Sequence, residues 1–343
     1  MTNENPEISI IIVNWNGKKF LKKCLDSLRN QTYQNFEIIF VDNGSNDGSV
    51  KFIKVNFPEI KIIENKNNLG FAAGNNQGIK ESTGKYIFTL NNDTTTDNNC
   101  IENIIKPMKN DNSMGMVAPK ILSLRNKKII DSVGGLLLSY DGIAKGNGRN
   151  EIDNGQYDEN KEILFPSACA ALYNKRMLDE IGLFDEYFFA YCEDADLGLR
   201  GRTAGWKAIS APNAIIYHYY SGTTESHSPL KAFLVERNHI LFAIKNLPLI
   251  MVLALPATTI WRFTIQFFGI IANRGSASKL AKKSSLLILF TILIKAYSNI
   301  FLKAPVFFKK RFIIKKQQKI TNYEFRQLLK KFHIPIKKIA LID

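Results

Sequence analysis

Cysteine is scarce in this sequence: four occur in 343 residues, Cys24, Cys100, Cys169 and Cys192, with no paired spacing. That excludes a disulfide framework and a thiolate zinc site, and it suits a reducing compartment. The N-terminus, MTNENPEISI, lacks the basic start and apolar stretch of a signal peptide, so the N-terminal part is expected to stay in the cytoplasm. Acidic residues nearly vanish toward the C-terminus. Residues 245–343 hold 19 Lys and Arg against only Glu324 and Asp343, whereas residues 1–244 hold 27 basic and 29 acidic side chains. The net charge of +15 therefore belongs to a C-terminal extension, and nucleic acid is not expected as a partner.

What is present in the first part is a regular alternation. Residues 8–13 (ISIIIV) form a short apolar run rich in β-branched side chains, the mark of a strand buried on both faces. Phe20, Leu21, Cys24, Leu25 and Leu28 follow at helical spacing. Further strands are predicted at 36–41, 60–64 and 86–90, with helices at 50–56 and 74–81 between them. Strands and helices alternating at this pitch predict an α/β, doubly wound, mostly parallel sheet. In such sheets ligands bind beyond the carboxyl ends of the strands, and the polar residues Asn14, Asp42 and Asp93 stand at three of those ends. Turn chemistry alone could also supply them.

From residue 245 the character changes. Residues 246–261, 263–273 and 284–294 are uncharged, with Arg262 between the first two. Each run is shorter than the roughly 20 residues that cross a bilayer, and Pro248 and Pro256 break the first. Interfacial or shallowly inserted helices are expected. Residues 303–316 (KAPVFFKKRFIIKK) mix aromatics with lysines and Arg311, a composition suited to an anionic membrane surface. A last short helix is signalled by the capping box Thr321-x-x-Glu324. The expected division is a domain at 1–230 and a basic, helical, membrane-associating extension at 231–343.

Segments in order carry a more specific reading: residues 9–17 (SIIIVNWNG), 41–49 (VDNGSNDGS), 68–78 (NLGFAAGNNQG), 90–94 (LNNDT), 182–185 (GLFD), 188–200 (FFAYCEDADLGLR) and 205–207 (GWK). With these the chain resembles the inverting glycosyltransferases of family two, with the GT-A fold, most of all the bacterial rhamnosyltransferase-like members that build surface polysaccharides. The resemblance covers roughly residues 7–225. It implies an enzyme that takes a sugar from a nucleotide-diphosphate donor, dTDP-rhamnose or a UDP-hexose, and passes it to a saccharide or lipid-linked acceptor at the cytoplasmic face of the membrane.

The resemblance also distributes roles. Asp42 would accept the imide N–H of a uracil or thymine ring, with Val13, Asn14 and Trp15 flanking the pocket. The glycines around Asn75 would let a helix aim free N–H groups at the ribose-diphosphate. Asp93 would ligate Mn²⁺ or Mg²⁺ bridging the two phosphates. The family pattern there is Asp-x-Asp, whereas this sequence reads Asn91, Asn92, Asp93, so Asn91 is left to contact ribose or a metal-bound water. His218, one of four histidines, would complete the metal shell. Asp194 matches the general base, Glu193 would orient the acceptor or tune its neighbour, and Asp196 fits the head of a helix. No Gln-x-x-Arg-Trp motif follows the acidic pair, which argues for single-sugar transfer rather than processive synthesis. Two rivals remain: a sugar-nucleotide nucleotidyltransferase, for which NWNGKKF is a poor triphosphate loop, and a non-catalytic nucleotide-sugar-binding scaffold.

Overall fold

The computed structural model describes residues 6–219 and 228–341. The chain divides into two compact units, one of Met1–Leu136 with Gly146–Thr223 and the other of Leu137–Lys145 with Thr224–Asp343.

In the first unit the apolar run near the N-terminus is strand β1 (Ile8–Asn14), followed by α1 (Lys18–Arg29), β2 (Phe36–Asp42), α2 (Ser49–Asn56), β3 (Lys61–Glu64), α3 (Gly70–Lys80) and β4 (Tyr86–Leu90). The four strands lie in the order β3-β2-β1-β4, all parallel. Register sets Asn14 beside Asp42 and Asp42 beside Glu64, so the polar ends of neighbouring strands are level with one another. Ile10, Ile12, Phe40 and Phe88 are buried in the core together with Leu21, Leu25 and Leu28 of α1. Helix α3 starts four residues before the expected Gly74. Its glycines face the sheet instead of marking a boundary: a Cβ at Gly74 would lie 2.8 Å from Val13 Cγ1, and one at Gly78 would lie 2.4 Å from Ile11 Cγ2.

The chain continues through β5 (Thr94–Thr96), α4 (Cys100–Asn110), β6 (Met114–Ser123), β7 (Ile130–Ser132), β8 (Leu136–Leu138), β9 (Ala144–Gly146), β10 (Ala170–Asn174), α5 (Lys175–Ile181), α6 (Glu193–Thr203) and β11 (Lys207–His218). The sheet extends from β4 through β10, β6 and β11 to β5. Strand β10 is antiparallel to both its neighbours, and β11 is antiparallel to β5, so the sheet is mixed. Strands β8 and β9 pair separately as a hairpin.

The second unit contains helices α7 (Pro229–Asn246), α8 (Leu249–Ile271), α9 (Gly275–Lys283), α10 (Leu286–Gln317), α11 (Asn322–Lys331) and α12 (Ile336–Leu341). The expectation of short, broken apolar helices is corrected here. Helix α8 runs 23 residues straight through Pro256, and α10 runs 32 residues through Pro305. Arg262 does not interrupt α8, because its charge is buried and paired: Nη2 lies 2.8 Å from Glu236 Oε1, and Nε lies 3.0 Å from Asp141 Oδ2. Tyr297 of α10 donates to the same Glu236 oxygen at 2.9 Å. By length and composition α8 and residues 287–317 can each cross a membrane, and only 22% and 17% of their apolar windows are buried by protein. At α11 the predicted capping box is present, with Thr321 and Glu324 bonding each other's backbone N–H.

Candidate active site

The ends of β1, β2 and β4 meet in one buried network. Asn14 Nδ2 donates to Asp42 Oδ1 at 2.9 Å, and Asn92 Nδ2 donates to Asn14 Oδ1 at 2.6 Å. The backbone N–H of Ser45 donates to the other Asp42 oxygen at 2.8 Å. Gly17 is required beside this network, since a Cβ there would lie 2.2 Å from Asn92 Nδ2. Asp42 thus organises the β2 loop, yet each carboxylate oxygen has a second acceptor position for an incoming donor. Trp15 lies half exposed, its indole reachable from solvent. Val13 packs on the open face of Gly74.

One expectation fails at α3. The N–H groups meant for a diphosphate are occupied: Gly70 donates to Asn68 Oδ1 at 2.9 Å, and Phe71 and Ala72 donate to the Phe189 carbonyl at 2.7 and 3.2 Å. Asn75 is buried and spends its amide on the Phe71 carbonyl of its own helix, at 2.9 Å. This turn of the helix is capped by protein because the loop carrying Phe189 is pulled over it.

A second cluster forms where β5 meets β11. The register pairs His218 with Thr94, the residue after Asp93, and the Tyr219 N–H donates to the Asp93 carbonyl at 2.9 Å. Antiparallel pairing therefore brings His218 Nε2 to 3.2 Å from Asp93 Oδ1, both side chains buried. Burial works against the charged imidazole, but Cys169, Asp131 and Asp93 together push it well above its ordinary value. An imidazole nitrogen and a carboxylate oxygen converging at this distance suit Mn²⁺, and Mg²⁺ less well. Among the described residues no set of three His, Cys, Asp or Glu side chains gathers around one point to hold an ion. Asn91 is half-buried, its N–H donating to the Cys169 carbonyl at 2.8 Å. Residues 220–227, which follow Tyr219 directly, lie outside the described residues.

The acid pair heads α6. Three of the four residues before it have positive φ without being glycine, Phe189 at 65°, Tyr191 at 69° and Cys192 at 71°. Such conformations cost roughly 1–2 kcal/mol per residue and persist where surrounding structure enforces them. Asp194 accepts from the Ala195 N–H at 2.8 Å and the Ala168 N–H at 3.3 Å. Burial raises its carboxyl, while those N–H donors and the Ser167 hydroxyl favour the ionised form. Glu193 is deeper, with one carboxyl oxygen lacking a hydrogen-bond partner among the described residues. Burial, then the charge of Asp194, pushes it well above the usual carboxylate range. Asp196 stands apart as a structural group, its Oδ2 3.0 Å from Arg200 Nε, and that guanidinium holds the carbonyls of Ile181, Gly182 and Leu183.

Several participants were not anticipated from the sequence. Residues 167–169 link the two clusters: Ala168 donates to Asp194, Cys169 accepts from Asn91, and the Cys169 thiol borders His218. Tyr173 lies buried near the acid pair, its hydroxyl pushed far up by burial and then by the charges of Asp194 and Glu193. Asp131 Oδ2 lies 2.7 Å from His218 Nδ1, and Arg149 pairs with its other oxygen. The one signal for Asp131 was an acid set in the apolar run Ile129, Ile130, Ser132, Val133.

A mixed sheet whose parallel half ends in a polar network, with a carboxylate–imidazole pair and an acid-headed helix at the same strand ends, is the GT-A architecture. The family model for Glycosyl transferase family 2 matches residues 9–182, and the chain belongs to that family. The chain is 31% identical over 105 residues to Glycosyltransferase GlyG of Streptococcus pneumoniae, covering 30% of this chain and 35% of that one. It is 31% identical over 202 residues to the uncharacterized glycosyltransferase RP339 of Rickettsia prowazekii, covering 56% and 58%. Among solved structures it resembles GalNAc-T7 with UDP, GalNAc and Mn²⁺, at a TM-score of 0.57 and 16% identity over 71% of this chain and 48% of that one. It also resembles the mannosyltransferase PcManGT of Pyrobaculum calidifontis in complex with GDP-Man and Mn²⁺, at a TM-score of 0.53 and 14% identity over 92% and 86%. At these identities the likeness is one of fold.

Proposed function

We propose that this protein is an inverting, metal-dependent glycosyltransferase that moves one sugar from a nucleotide-diphosphate donor to a hydroxyl of a saccharide acceptor. A dTDP- or UDP-linked sugar is the proposed donor, and a lipid-linked oligosaccharide of a surface polysaccharide is the proposed acceptor. The observation that carries the reading is the link through residues 167–169, which ties the Asp93–His218 pair to Asp194 by hydrogen bonds and the Cys169 contact. Donor and acceptor chemistry need such groups side by side on one scaffold.

Asp93 and His218 would hold Mn²⁺ or Mg²⁺, which when bound neutralises the departing diphosphate. Two solved relatives in fold were captured with Mn²⁺ and a nucleotide or nucleotide sugar, which supports the same use here. Asp42 accepts the imide N–H of the base, with Asn14 and Asn92 holding its carboxylate in place. Trp15 offers a face for the base or ribose. Asp194 takes the proton from the acceptor hydroxyl as that oxygen attacks the anomeric carbon, opposite the leaving diphosphate. Glu193, whose carboxyl burial and the Asp194 charge push well above the usual range, lies beside it. The exposed apolar and basic faces of the second unit support an association with the membrane, proposed here at its cytoplasmic, anionic surface.

The test is Asp194→Asn. The amide keeps size, and its single oxygen can still accept from Ala195 or Ala168, though not from both, and it cannot take a proton. Transfer should fall about 10²–10⁴-fold, with melting temperature and nucleotide binding retained. A stable variant transferring within a few-fold of wild type would place the base elsewhere.

A further inference from the structure

Asp131 sits at an irregularity in its strand pairing. Strand β7 runs antiparallel to β6, with Ile121 opposite Ser132 and Leu122 opposite Ile130. Asp131 is therefore the extra residue of a β-bulge, a device that re-aims a side chain out of the normal alternation. The side chain it re-aims meets His218: Asp131 Oδ2 lies 2.7 Å from Nδ1, while Nε2 on the other edge of the ring faces Asp93 Oδ1 at 3.2 Å. Arg149 pairs with Asp131 Oδ1, so the carboxylate is held from both sides. Both the Asp131 and Arg149 side chains are nearly buried, at 12% and 13% exposure, which keeps water from substituting for either contact.

We propose that Asp131 is a positioning residue for the metal site: it fixes the ring orientation and the Nδ1–H form of His218, so that Nε2 is presented to a divalent cation beside Asp93. A carboxylate behind a ligating histidine acts in this way by holding the ring's far N–H and raising the basicity of the near nitrogen. The inference rests on the proposed metal site. Arg149 is the natural second member, since it keeps the carboxylate from turning to a different partner.

The experiment is direct Mn²⁺ binding to the full chain, followed by loss of the free-ion paramagnetic resonance signal, with a melting curve for every variant. Asp131→Ala should weaken Mn²⁺ binding about 10–100-fold. Asp131→Asn, which retains a carbonyl oxygen to accept from Nδ1–H, should recover part of that loss. In a His218→Ala background, Asp131→Ala should have no further effect on Mn²⁺, because the residue acts only through the imidazole. Unchanged Mn²⁺ affinity in a folded Asp131→Ala protein overturns the proposal, and so does an equal loss with and without His218. A wild-type protein that binds no Mn²⁺ removes the metal reading itself, a different failure from either of these. If Asp131→Ala does not fold, the Asp131→Asn protein and its double variant with His218→Ala carry the same comparison.

Discussion

At the scale of single residues, the two acids heading α6 are separated by what surrounds them. Burial raises both, but at Asp194 backbone N–H donors and a hydroxyl oppose the rise, whereas at Glu193 the neighbouring anion adds to it. The Glu193 carboxyl, ordinarily near 4.5, is raised in the folded protein. Folded chains then keep a proton that unfolded chains have lost, so stability is fully present below 4.5 and is lost as pH rises toward the folded value. Glu193→Gln removes that dependence. Its melting temperature should match wild type in acid and overtake it as pH climbs from about 5 toward 8. Parallel curves for the two proteins would mean Glu193 is ionised in place. Strand-end acids and amides were legible because loops after parallel strands are where such sheets bind ligands. Asp131, Tyr173 and residues 167–169 were not, because long-range pairing and a bulge bring them in, and no local pattern records either.

Among the elements, the strands of the parallel half and the helices between them followed from apolar runs and spacing. Helix α3 shows where local reading stops. Its glycines suggested a phosphate loop, but Gly74 and Gly78 give α3 its close approach to β1, and the Phe189 carbonyl takes the first N–H groups. The C-terminal helices went the other way, longer than proline and arginine implied, because Glu236 and Asp141 pair with Arg262 from elsewhere in the chain. Their length changes the expected mode of membrane binding. Exposed side chains on α8 and α10 include Leu253, Trp261, Phe267, Phe268, Phe290 and Phe301. Burying such side chains is worth about 1.5–3 kcal/mol each, against about 1 kcal/mol for each basic residue at an anionic surface. Side chain for side chain, apolar insertion outweighs charge. The protein should stay with membranes through a high-salt wash and leave them in detergent, judged by sedimentation. Complete release by salt would return it to the surface, held by its basic residues alone.

For the whole molecule, fold and family are consistent with each other: the order of motifs, the mixed sheet and the match over residues 9–182. The strand-end site is proposed to activate a nucleotide sugar with a divalent ion. The measurement closest to it is donor turnover: the full chain with Mn²⁺, offered a panel of dTDP-, UDP- and GDP-sugars, scored for released nucleoside diphosphate with and without excess chelator. At least one dTDP- or UDP-sugar should be consumed, chelator should stop it, and Asp93→Ala should do the same. Release unaffected by chelator would contradict the metal site. Release of pyrophosphate from a nucleoside triphosphate, with every nucleotide sugar left intact, would contradict sugar transfer itself.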